Sequence, residues 1–228
     1  MLLFGPYTWL ILLVLFATFA IQGWLKSTYA KFSRVPNSRG LTGAQTARAI
    51  LDRYGLTQVK VEPIRGQLTD HYDPRSKVVR LSEGNYASPS LAALAVAAHE
   101  TGHALQDAEN YAPMRIREQL VPAAQIGSNF GPWLFIIGLM IGMIGLAKIG
   151  LYLFFAAALF QLVTLPVEFN ASARALANLR KFELLTPQEI PAARKVLTAA
   201  ALTYVAALAM SIAYLLQYSA LLGMGRDD

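Results

Sequence analysis

The sequence contains no cysteine. A disulfide framework, a thiol nucleophile and a thiolate-ligated zinc are therefore excluded, and any metal must be held by histidine or carboxylate. Charge is scarce too: 15% of the 228 residues are Asp, Glu, Lys or Arg, against about 25% in an average globular chain. Histidine occurs only at His71, His99 and His103. Apolar side chains take the place of charge, with 55% hydrophobic residues and a mean hydropathy of +0.39. That balance excludes a disordered chain, a nucleic-acid-binding tail and an ordinary soluble enzyme. It points to an integral membrane protein with a modest water-facing portion.

A membrane-spanning helix needs about 17–25 predominantly apolar residues. Residues 7–25 carry no charge and place Trp9 and Trp24 near the two interfaces. Nothing basic precedes Tyr7, so this stretch reads as a retained anchor and not as a cleaved signal. Residues 131–167 are apolar apart from Lys148. As one helix they would reach roughly 55 Å, too long for a hydrocarbon core of about 30 Å. Two spans fit better, 131–147 and 149–167, with the reversal near 145–150, where two glycines flank the lysine. Residues 198–222 make the last span.

The expected organisation is thus an anchor (1–25), a water-facing segment (26–129), a helical hairpin (130–167), a second water-facing segment (168–197) and a final span with a short tail (198–228). Of the 20 Lys and Arg, all except Lys148 and Arg226 fall in the two water-facing segments. The positive-inside rule then puts both segments in the cytoplasm and both termini outside. The net charge of +6 follows from this topology and implies no nucleic-acid partner.

Residues 40–56 read as a helix capped by Thr42 and ended by Gly55. Residues 59–63 and 77–82 are short β-type runs, and 68–74 between them read as a turn. A helix from about Ser90 to about Ala108 follows, apolar on every face of its first turns and hence buried. Segment 168–197 reads as helical with a break at 186–191, where Thr186, Pro187 and Glu189 form a helix start.

The buried helix contains His99-Glu100-Thr101-Gly102-His103. Side chains four apart lie one turn above each other on one face, so both imidazoles can hold one Zn²⁺. Glu100 then stands beside the open coordination position, where it can take a proton from water and pass it to a leaving amine. The competing reading is two histidines four apart by chance in a core helix. Burying three titratable groups there without an ion costs several kcal/mol. A catalytic zinc commonly takes three protein ligands. Glu168, one residue past the third span, is the candidate for the third, and the competing reading is an interfacial glutamate among headgroups. The hairpin supports the ligand, because it returns the chain to the side it left and gives His99 and Glu168 one compartment.

His71 has two readings. It is either a turn residue bonded to the flanking Asp70 and Asp73, or a donor to the oxyanion formed when water attacks a peptide carbonyl. Tyr72 and Arg174 are weaker candidates for that second task. Residues 77–82 are either an ordinary strand or the strand on which an extended substrate pairs. Arg115 and Arg117 either meet anionic headgroups or are simply solvated.

The runs GLTGAQTARAILDRYGL, LTDHYDPRSKVVRLSEGNYASPSLAALAVAAHETGHALQ and LPVEFNASARAL resemble the YugP-like membrane zinc metallopeptidases, over nearly the whole chain and in the order of the spans. The resemblance implies a gluzincin with one Zn²⁺ per chain: His99, His103 and Glu168 as ligands and Glu100 as catalytic base. Related gluzincins carry an acid shortly after the ligand glutamate, and it supports a zinc-binding histidine. Here the corresponding positions hold Asn170 and Ser172, so the support is expected from another acid, Asp70 or Asp73.

The fold expected is therefore a mainly α membrane protein, four transmembrane helices with a cytoplasmic α+β gluzincin-like metallopeptidase unit. The expected activity is zinc-dependent endopeptidase cleavage, with the lipid bilayer and membrane or membrane-proximal proteins as partners. The alternative is a non-proteolytic metal-binding membrane scaffold or assembly protein, whose closed site would need a fourth protein ligand, with His71 the spare histidine. A transporter is disfavoured because none of the expected spans contains an ionisable side chain of the Asp, Glu, Lys, Arg or His type.

Overall fold

The computed structural model describes residues 5–224; Arg226 lies outside them. In chain order the elements are α1 (Thr8–Phe32), α2 (Gly43–Arg53), β1 (Lys60–Ile64), β2 (His71–Asp73), β3 (Val78–Ser82), α3 (Glu83–Tyr86), α4 (Leu91–Ala108), α5 (Ala112–Met140), α6 (Ile144–Lys181) and α7 (Ile190–Met224). They divide into two compact units. One holds residues up to Ile21, Arg115–Leu165 and residues from Thr203 on, and the other holds Gln22–Met114 and Pro166–Leu202.

The first unit draws on α1, α5, α6 and α7, the four helices long and apolar enough to cross a membrane. Its core stacks Phe135 on Tyr218, ring centroids 4.2 Å apart, with Ala147 and Leu222 beside them. Outward it presents side chains such as Trp9 (82% exposed), Phe16 (73%) and Tyr152 (71%). Apolar faces of this kind are what a bilayer covers. The chain reverses at residues 141–143, earlier than the expected 145–150, and Gly142 takes the left-handed φ of +73° that the turn needs. Lys148 consequently lies inside α6. Gly150 is not a turn glycine either: a Cβ there would collide with the Phe135 nitrogen, so it lets α5 and α6 approach backbone to backbone.

The second unit packs α2, α4 and the latter part of α6 around a three-stranded sheet of order β1-β3-β2. β3 is central, parallel to β1 with Lys60 opposite Val78, and antiparallel to β2 with Tyr72 opposite Val79. One expectation for this region needs correction, and the structure selects between the two readings of the other. Residues 68–74 are not wholly a turn, since 71–73 join the sheet. Residues 78–82 form an ordinary strand inside the sheet, paired with β1 along its length and with β2 over Val78–Arg80.

Local chemistry explains the helix limits. Thr42 and Gln45 form a reciprocal capping box at the start of α2, and Gly55 follows its end at φ +72°. The Ser90 hydroxyl accepts the Ala93 N–H at the start of α4. Ahead of α7, the Glu189 carboxylate accepts both the N–H and the hydroxyl of Thr186. As the composition of its first turns predicts, α4 is buried on all sides: Leu94, Ala95, Ala97 and Ala98 are fully inaccessible. They pack against Ile50 and Leu51 of α2, Val79 and Leu81 of β3, and Leu179 of α6.

Candidate metal centre

The site is built where α4 crosses α6. Along α6, Val167, Ala171, Ala175 and Leu179 recur every fourth residue and are all inaccessible, which makes a stripe of mostly small side chains that faces the core. Opposite it stands Gly102, between the two histidines of α4. A Cβ at Gly102 would lie 2.7 Å from the Ala171 carbonyl oxygen. Only glycine permits this approach, and the approach carries Glu168, one residue after Val167, to the imidazoles.

His99, His103 and Glu168 each bring one ligand atom to a group whose atoms lie within 4.8 Å of one another. His99 Nε2 is 3.2 Å and His103 Nε2 is 3.7 Å from Glu168 Oε2, and the two rings meet edge to face. Donors bound at about 2.0–2.2 Å in a tetrahedron stand about 3.3 Å apart, and the two spacings to Glu168 lie close to that value. Two imidazole nitrogens and a carboxylate are also a donor set that zinc accepts. Glu168 is 2% exposed, and an ion there would compensate a charge that burial otherwise makes costly.

Glu100, next to His99 on α4, is 7% exposed. Burial pushes its carboxyl up to about 7; His99 pulls it back, while Glu168 and Asp70 push it further. The backbone N–H of Tyr72, on the edge strand β2, donates to it. Such a carboxyl exchanges a proton near neutral pH.

The second nitrogens of the imidazoles have partners, and neither partner is an acid. His103 Nδ1 is 3.0 Å from Gln106 Oε1, and His99 Nδ1 is 3.1 Å from the Ser172 hydroxyl. Asp70 is instead occupied by the Ser82 N–H and the Asn85 amide, and Asp73 by Ser76 and Arg80. The expectation of a supporting aspartate is thereby corrected. The sequence carried a signal for Gln106, a lone amide three residues after His103 on a buried helix, where i and i+3 share a face.

The other candidates lie elsewhere. His71 sits on β2 and does not join the ligand group: its Nδ1 is 2.8 Å from the Thr69 carbonyl, and its Nε2 faces Arg80 at 3.4 Å. The flanking aspartates do not hold it. The Tyr72 hydroxyl donates to the buried Asp107 at 2.6 Å. Arg174 spends its guanidinium on Asn170 and, with two nitrogens, on Glu109. Arg115 pairs with Glu118, and Arg117 lies over the Phe160 ring.

A multi-pass membrane protein with a His/His/Glu group able to hold a metal, and a neutral-range glutamate beside it, has the parts of a membrane metallopeptidase. The chain belongs to the family described as "Putative neutral zinc metallopeptidase", whose model matches residues 7–223. It is also 46% identical over 224 residues to the "Putative membrane protease YugP" of Bacillus subtilis (strain 168), a match that covers 95% of this chain and 100% of that protein. No solved structure matches it.

Proposed function

We propose that the protein is a zinc-dependent endopeptidase of gluzincin type, held in the cytoplasmic membrane by four spans, that hydrolyses peptide bonds of membrane or membrane-proximal proteins. One observation carries this reading: Glu168 meets His99 and His103 across two helices, with the buried Glu100 on the same helix as the histidines. The basic residues of 26–129 and 168–197 support a catalytic unit on the cytoplasmic side, with both termini outside.

In this reading His99 Nε2, His103 Nε2 and a Glu168 oxygen would hold one zinc per chain, which would supply Lewis acidity for peptide hydrolysis. Glu100 takes the proton from the attacking water and delivers it to the departing amine. Burial raises its carboxyl above the ordinary carboxylate range, which favours keeping the proton until the amine departs. An extended substrate lies along β2, the strand whose Tyr72 N–H already reaches Glu100. His71 on that strand contacts the substrate. In its neutral form its one N–H goes to the Thr69 carbonyl, so it donates to an oxyanion only as the imidazolium.

A closed scaffold site would need a fourth protein ligand. Among the described residues the group contains His99, His103 and Glu168, with His71 bonded elsewhere. Three ligands favour a position left open to water. The test is cleavage of an unfolded membrane protein by the purified full-length chain. Cleavage should stop on treatment with a zinc chelator and return when zinc is restored, and cleavage that continues unchanged in chelator contradicts the reading.

A further inference from the structure

The hydrogen bonds behind His103 have only one self-consistent direction. Arg174 donates and cannot accept. Its Nε lies 2.7 Å from Asn170 Oδ1, so the Asn170 amide must turn its oxygen to that point. The same oxygen lies 3.0 Å from Gln106 Nε2, which is also 2.8 Å from the Val167 carbonyl oxygen. Both neighbours are acceptors, so Gln106 must present its NH₂ to them and its Oε1 to His103 Nδ1 at 3.0 Å. An amide oxygen only accepts. His103 therefore carries a proton on Nδ1, and in its neutral form the lone pair is on Nε2. The bidentate pair between Arg174 and Glu109, at 2.8 and 2.7 Å, anchors the far end of the chain.

We propose that Gln106 is a positioning residue for the metal site, and that the directed chain Arg174–Asn170–Gln106 fixes the metal-binding tautomer of His103 without a carboxylate. The proposal rests on reading His99, His103 and Glu168 as metal ligands. Gln106 acts on two of them at once: it orients the His103 ring and, through the Val167 carbonyl, holds the backbone one residue before Glu168. It is fully buried, and its amide completes these bonds on both sides. In the neutral form the Nε2 so left free faces Glu168 Oε2 at 3.7 Å, where a cation would take both atoms as donors.

Direction distinguishes this role from packing. Gln106→Glu and Asn170→Asp are isosteric and add the same charge, yet the chain treats them oppositely. At 106 a carboxylate would oppose the Val167 carbonyl and Asn170 Oδ1, both acceptors. At 170 a carboxylate would still meet two donors, Arg174 Nε and Gln106 Nε2. The experiment is zinc affinity of the full-length protein at pH 8, by competition with a chromogenic chelator, with thermal melting to verify folding and His103→Ala as control.

The expected result is that Gln106→Glu binds zinc about 10–100-fold more weakly than Asn170→Asp. Equal affinities in the two variants would overturn the proposal. If Gln106→Glu does not fold, Gln106→Met decides: a loss of about tenfold or more supports the chain, and unchanged affinity overturns it. The control separates the two levels, because a His103→Ala protein that binds zinc like wild type refutes the ligand reading itself.

Discussion

Gly102 and Ala171 touch through their backbones: a Cβ added at Gly102 would stand 2.7 Å from the Ala171 carbonyl oxygen and 3.1 Å from its Cα. The metal group depends on this contact, since His99 and His103 flank Gly102 on one helix and Glu168 precedes Ala171 by one turn on the other. Sequence spacing places the two histidines together, and the glycine admits Glu168 to them.

Gly102→Ala should therefore push α4 and α6 apart. Overpacking of a close-packed contact costs about 1–3 kcal/mol, and about 2–4 °C of melting temperature accompanies each kcal/mol at this chain length. The expected outcome is a protein that melts lower and binds zinc more weakly than wild type. Wild-type zinc affinity in Gly102→Ala would show that the ligand spacing does not depend on this contact.

Glu100 gives the metal-free protein a defined pH dependence. Folded, it keeps its proton up to about pH 7, whereas the reference value is 4.5. Between those values the folded state binds the extra proton, so stability present below pH 4.5 is lost as pH rises through 7, by roughly 3 kcal/mol. Glu100→Gln removes the term. With zinc chelated, the variant's advantage in melting temperature over wild type should grow from pH 5 to pH 8. A gap that stays constant over that range would mean that burial does not raise Glu100.

His71 should matter to substrate turnover and not to the metal. His71→Ala is expected to keep wild-type zinc content and to lower kcat/KM by a factor of about 10, the scale of one lost hydrogen bond to substrate. Loss of zinc from this variant would place His71 among the ligands and favour the scaffold reading.

Topology can be tested on a natural cysteine-free background. Gln67 lies exposed before β2, and Met143 lies exposed at the reversal between α5 and α6. With a membrane-impermeant thiol reagent on intact cells, Met143→Cys should label and Gln67→Cys should label only after lysis. The opposite pattern would invert the proposed orientation.

The parts of this fold that local chemistry determines could be read from the sequence. The Ser90 cap and the apolar turns after it set α4, and the charge-free runs set the four helices apolar enough to span a membrane. What escaped depended on distant partners. β2 is three residues long and exists because Tyr72 pairs with Val79, while Asp70, Asp73 and Pro74 carry local turn signals. The hairpin reversal was displaced because glycines serve two purposes. Gly142 turns the chain and Gly150 admits a neighbouring backbone, and a single sequence does not separate these uses. At the site, the spacing of His99 and His103 was informative, whereas the support behind them was sought among acids and lies in Gln106 and Ser172.

The most direct test of the account measures zinc content and cleavage together in wild type, Glu100→Gln and Glu168→Ala. The account predicts about one zinc per chain and cleavage in wild type, zinc without cleavage in Glu100→Gln, and neither in Glu168→Ala. A Glu100→Gln protein that cleaves as well as wild type, or a Glu168→Ala protein with its full zinc, would contradict it.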